Sequence, residues 1–95
     1  GIDPSMHDPK VVTRRYRRAV GPQVGALLAA TRVIWPDRST RVFHMIAALV
    51  DAGASDSEIA SALWSNPYFT DKWGDDLEAL EHQIHRARRL AEEKR

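Results

Sequence analysis

Lys10, Arg14 and Arg17 follow one another at spacings of four and three residues, and Arg18 comes next. On a helix that spacing gathers the four cations on one side, where they can neutralise successive phosphates of a polyanion. Further basic residues stand at Arg38, Arg41 and Lys72, and Tyr68, Phe69 and Trp73 surround Lys72. Binders of single-stranded nucleic acid combine these two ingredients, a basic track along the backbone and aromatic platforms for the bases. The candidate nucleic-acid-binding set is therefore Lys10, Arg14, Arg17, Arg18, Arg38, Arg41 and Lys72, with Tyr68 or Trp73 to stack on a base.

Other chemistries find less in the chain. His82 and His85 lie three apart, with Glu78 and Glu81 each one turn before a histidine. A metal centre would need ligands from another helix, and His44 is the one further donor the spacing offers. A solvated face with ordinary i, i+4 pairs accounts for the same residues, so no metal and no cofactor is expected. Asp75-Asp76 resembles a metal-binding pair, but at a helix start such acids serve as caps. There is no GxGxxG, no Walker A and no nucleophile elbow, so catalysis by this chain alone is not expected. Gly21 and Gly25 give a lone GxxxG spacing, which outside an apolar 20-mer marks a close turn.

These residues need elements to hold them, and every usable period is helical. Asp8-Pro9 opens a helix that Gly21-Pro22 ends, with Val12, Tyr16, Ala19 and Val20 on the face opposite the cations. Arg15 falls at the flank. A short helix is expected from Pro22 to Thr31, with Val24, Leu27 and Leu28 inward. Pro36 pushes Trp35 toward extended geometry. Ser39 reads as the N-cap of a helix ending at Gly53, striped by Val42, Phe43, Ile46, Leu49 and Val50. Ser55-Asp56-Ser57-Glu58 is a capping box, followed by Ile59, Ala62 and Leu63. Asn66-Pro67 closes that helix, and residues 68–74 read as an aromatic-rich connection. There Tyr68, Phe69 and Trp73 are either open to stacking or buried as the plug between the fourth and fifth helices, burial being the favoured reading for Trp73. Trp35 and Trp64 read as core. The last helix starts near Asp75 or Asp76 and carries Leu77, Leu80, Ile84, Ala87 and Leu90. The fold expected is all-α, a compact bundle of four to five short helices.

Composition agrees with one small domain: 95 residues, 43% hydrophobic and 28% charged. With no cysteine, disulfides, zinc fingers and thiol chemistry drop out, which suits a cytoplasmic setting. No apolar run approaches the ~20 residues needed to cross a bilayer, and no signal peptide is visible. Residues 1–5 read as an expression-tag remnant and 6–95 as the domain, its basic helix at 6–21. Net charge is +1, but it is unevenly spread. Residues 1–50 hold eight Lys/Arg against three Asp, and residues 51–95 hold six Lys/Arg against ten Asp/Glu. A basic half can meet a polyanion while the acidic half stays clear of it.

The helices on either side of Gly53 also have a helix–turn–helix flavour. The second of them offers Asp56, Ser57, Glu58 and Ser61 and no Arg or Lys. A major groove would repel that face, so the motif reads as architectural.

Residues 36–88 resemble a recurring module. Its marks are Pro36-Asp37-Arg38-Ser39, Phe43 with Ala47-Ala48-Leu49, and the run from Gly53 to Ile59. Ser65-Asn66-Pro67, Asp71-Lys72-Trp73 and the final Leu80, Ile84, Arg86 and Ala87 complete it. The module is similar to the helical region behind the catalytic domain in primase-polymerases of the archaeo-eukaryotic type, from plasmids, phages and integrated elements. There a helix bundle helps grip template strand and initiating nucleotide, and the catalytic acids lie in a separate domain. The resemblance implies an accessory, non-catalytic domain with single-stranded DNA template as partner, together with the catalytic primase-polymerase domain and a helicase. Arg38, Ser39, Lys72 and Trp73 are the motif positions present, and Arg38 and Lys72 are the ones it marks for phosphate contacts, since capping and packing leave them unexplained. The helix before Gly21 lies outside the match. Five phosphates neutralised by Arg14, Arg17, Arg18, Arg38 and Lys72 would give log affinity a slope near −3.5 against log salt, at ~0.7 per phosphate. Two other classes stay open. One is a protein-interaction module docking on a replication catalytic or helicase partner through Trp35 or Tyr68–Trp73. The other is a helix–turn–helix DNA-binding domain.

Overall fold

Helix starts in this chain coincide with side chains able to take a free backbone N–H. The computed structural model describes residues 2–94. The extended Asp8 accepts the backbone N–H of Lys10 at 2.8 Å, and Pro9 presets the first turn of α1, Pro9–Leu28. Within α1, Gly21 sits at φ 86°, ψ 170°, a conformation open only to glycine, and Pro22 follows without an N–H to donate. So α1 is two helical rods meeting at a kink, as the Gly21-Pro22 reading expects. The second rod stops at Leu28 rather than Thr31.

Asp37, not Ser39, caps α2 (Arg38–Asp51). It adopts the left-handed region at φ 61°, which a short polar side chain tolerates, and accepts from both the backbone N–H and the hydroxyl of Thr40. Those two donors hold the Asp37 carboxyl below its usual range. Ser39 thereby becomes part of the first helical turn. The capping box before α3 (Asp56–Trp64) forms as read. Glu58 N–H donates to the Ser55 hydroxyl at 3.1 Å, and Ser55 N–H donates to the Glu58 carboxylate at 2.9 Å.

Residues 68–74 are not a loose connection. Asn66 caps α4, Pro67–Trp73, and Gly74 ends it at φ 62°. The pattern hid this because Asn66-Pro67, read as a stop for one helix, is equally the cap and first position of the next. Asp76 caps α5 (Leu77–Glu93), accepting from Ala79 N–H at 3.0 Å. All five helices belong to an all-α bundle with no strand among the described residues. No helix there is long and apolar enough to cross a membrane.

α2 is the central rod, packed by α1, α3, α4 and α5, and α1 also lies on α3. Val42, Met45, Ile46 and Leu49 of α2 are fully buried, against Leu80 and Ile84 of α5, Ile59 and Leu63 of α3, and Val12 of α1 in one core. Six of the nine α3 residues are buried. That leaves Asp56, Ser57 and Trp64 as its half-buried residues. Tyr68 and Phe69 complete the core, while Trp64 and Trp73 are half-buried at its edge. Trp35, expected inside, is 56% exposed, and its neighbour Ile34 is 63% exposed.

Candidate nucleic-acid interface

The first rod of α1 is fixed by what its inner side meets. Val12 is fully buried, and Tyr16 and Arg15 reach Glu58 of α3. The Tyr16 hydroxyl donates at 2.7 Å and Arg15 Nη1 at 2.6 Å, so one carboxylate receives the phenol, the guanidinium and the Ser55 N–H together. Burial pushes the Glu58 carboxyl up, but the Ser55 N–H, the Tyr16 phenol and Arg15 more than offset it and bring its pKa down to about 2. The same carboxylate, with burial, holds the Tyr16 phenol above its usual value. His7 N–H donates to the Ser61 hydroxyl at 3.1 Å, so the entry to α1 is tied to α3 as well.

With α1 pinned on that side, Lys10, Arg14, Arg17 and Arg18 face solvent. None of the four makes a carboxylate pair among the described residues, whose ion pairs are Arg15–Glu58, Arg38–Asp71 and Arg88–Asp56. Lys10, Arg14 and Arg17 rim a groove of about 470 Å³ whose floor includes Leu28, Ala62 and Asn66. Gly25 lies beneath the Arg17 stem, where even an added Cβ would meet it at 3.7 Å, so the kinked second rod folds back close under the basic face. Asn66 Nδ2 donates to the Leu27 carbonyl at 2.9 Å and anchors that rod to the start of α4. The result is a cationic rim over a largely apolar floor. Such a groove can hold a phosphate backbone at its edge and the flat faces of bases below.

The other expected site residues lie elsewhere. Arg38, Arg41, Lys72, Tyr68 and Trp73 do not line this groove. Arg38 pairs with the Asp71 carboxylate and donates to the Asp71 carbonyl at 3.0 Å. Lys72 donates to the Ser39 hydroxyl and sits 5.1 Å from the Trp73 ring centroid. Arg38, Ser39, Lys72 and Trp73, the positions marked by the primase resemblance, thus meet in one cluster that fastens α2 to α4. Packing does explain Arg38 and Lys72, contrary to the sequence reading, because residues 68–74 form a helix that brings Asp71 and Lys72 against the start of α2.

Tyr68 is 1% exposed, and its hydroxyl accepts the N–H groups of Ile34 and Trp35, each at 3.1 Å. It has no face for a base. Trp73 is half-buried and stacks on Phe69 with ring centroids 5.3 Å apart. Arg41 is half-buried on α2 beside Trp35 and His44. On α5, Arg88 pairs with Asp56 and donates to the Ala54 carbonyl, while His82 and His85 are exposed. The groove floor is what the sequence reading missed. Ala62 and Asn66 come from a distant part of the chain, and no local pattern signals their meeting with α1. Comparison of the chain with protein-family models, curated proteins and solved structures finds no match.

Proposed function

We propose that this domain binds single-stranded nucleic acid along the groove beside α1, serving as an accessory module that grips template strand for a primase-polymerase. The observation that carries the binding is the set of four cations on one helix face without carboxylate partners among the described residues, three of them rimming an apolar-floored groove. Solvated lysines and arginines that already neutralise acids have little to gain from a phosphate; these four keep their full charge for one. The primase assignment rests separately on the resemblance of residues 36–88 and is not needed for the binding.

The site is smaller than the full set of basic residues suggests. Arg38 and Lys72 are engaged within the bundle and Arg41 lies in a separate groove, leaving Lys10, Arg14, Arg17 and Arg18. Four phosphates on a single strand give log affinity a slope of about −2.8 against log salt, at ~0.7 each. Fluorescence anisotropy of labelled single-stranded and duplex DNA, titrated at several salt concentrations, tests this. Single-strand preference with that slope is expected, and Arg14→Ala, Arg17→Ala and Arg18→Ala together should flatten it by about 2. An unchanged slope in the triple variant removes α1 from the site. Duplex preference turns the assignment to a helix–turn–helix domain.

A further inference from the structure

A second groove, of about 760 Å³, runs between the second rod of α1 and α2 and shares no lining residue with the basic groove. On α2 its wall is the series Arg41, His44, Ala48 and Asp51, at i, i+3, i+7 and i+10. That series is one continuous helix face about 15 Å long, with a cation at one end and a carboxylate at the other. Val24 and Leu27 of α1 form the facing wall, and Trp35 adds an exposed indole. Between the charged ends α2 offers only Ala47 and Ala48 besides His44. Side chains that stop at Cβ let the backbone of an occupant come close.

Arg41 supplies a second, independent observation. Its Nε is buried and has no hydrogen-bond acceptor among the described residues. A buried donor without a partner is uncommon and costly. Asp37 feels the charge of Arg41, but its carboxylate oxygens are taken by Thr40. Arg41 makes no ion pair among the described residues, so its guanidinium is open to an acid from outside. A polyanion suits the place poorly, since Asp51 repels it and the middle of the groove is apolar. A partner with an acid at one end and a base at the other fits both ends at once.

We propose that this groove docks an amphipathic helix of a partner protein, laid along α2 with an acidic side chain on Arg41, a basic side chain on Asp51 and an apolar stripe against Val24, Leu27, Ala48 and Trp35. Helix-in-groove recognition of this kind reads apolar anchors one turn apart and uses charge to set direction. The acid and base of the partner stand about three helical turns apart on one side, matching the Arg41–Asp51 interval. The surface is independent of the nucleic-acid groove, so the R14A/R17A/R18A variant keeps it.

Selection of a helix-biased peptide display library on the wild-type domain tests this without presupposing a sequence. Enriched peptides should share an acid and a base three turns apart enclosing an apolar stripe. They should bind the Ala48→Arg variant, whose groove is filled, at least tenfold more weakly, and Arg41→Gln should remove the preference for the acid. Should Ala48→Arg fail to fold by circular dichroism, Asp51→Lys decides instead, because Asp51 is exposed and selection on that variant should replace the base with an acid. Enrichment without the shared pattern overturns the proposal. So does undiminished binding to Ala48→Arg, or displacement of the peptides by a single-stranded oligonucleotide, which would assign the groove to a polyanion.

Discussion

Replacing Glu58 by Gln removes the charge on which the presentation of α1 depends, and its cost can be worked from the contacts. Glu58 is 7% exposed, and its carboxylate receives Arg15, Tyr16 and the Ser55 N–H. A pKa lowered from 4.5 to about 2 corresponds, at ~1.4 kcal/mol per unit, to an upper limit of ~3.4 kcal/mol favouring the folded state. The Arg15 side chain is 53% exposed, so solvent screens part of that attraction and about 2 kcal/mol is the better figure. Because the folded pKa is depressed, this contribution is fully present above about pH 4.5 and is lost as pH falls toward 2. Urea unfolding of wild type and Glu58→Gln, followed by circular dichroism from pH 7 to pH 2, isolates it from the other carboxylates. The two proteins should differ by about 2 kcal/mol at pH 7, a drop in Tm on the order of 10 °C for a domain this size, and converge between pH 4.5 and 2. A difference that stays constant across that range would show that the carboxylate charge is not what secures α1, and the electrostatic reasoning would fail.

Other positions give sharper local readouts. Gly21→Ala places a side chain at φ 86°, ψ 170° in open space, so its cost is backbone strain alone. Thermal melts should show a loss of about 1–3 kcal/mol, with no recovery in Gly21→Ser. Tyr68→Phe strips the shared acceptor from the N–H groups of Ile34 and Trp35. It should cost about 1–3 kcal/mol and speed amide exchange at those two residues ahead of the rest of the chain. Asn66→Ala removes both the α4 cap and the bond to the Leu27 carbonyl. Urea unfolding should register more than the ~1 kcal/mol of a cap alone, and a loss limited to that figure would show the Leu27 bond to be neutral.

What the sequence made legible follows from the range of the interaction involved. Ser55 and Glu58 announce their capping box because both partners lie within one turn, and Gly21-Pro22 announces its kink for the same reason. The basic face of α1 was readable because its period is local. Trp35 misled because size and hydrophobicity favour burial, whereas its place after α1 leaves it outside a core that Tyr68 and Phe69 already fill. The packing role of Arg38 and Lys72 was not readable because their partners, Asp71 and Ser39, lie 33 positions away in each case. Ala62 and Asn66, which floor the basic groove, carry no mark of that role at all. They acquire it only when α3 and α4 meet the two rods of α1.

The same long reach has a consequence for how the chain is made. α1 is synthesised before the residues that anchor it, since Glu58, Ser61 and Asn66 lie from 39 to 54 positions further on. Until those residues have left the ribosome α1 has only α2 to lie against, and its full docking waits for the loop closures that bring α3 and α4 alongside. Within this domain, assembly therefore runs against chain order: the element richest in positive charge is seated only after the acidic half has arrived to receive it.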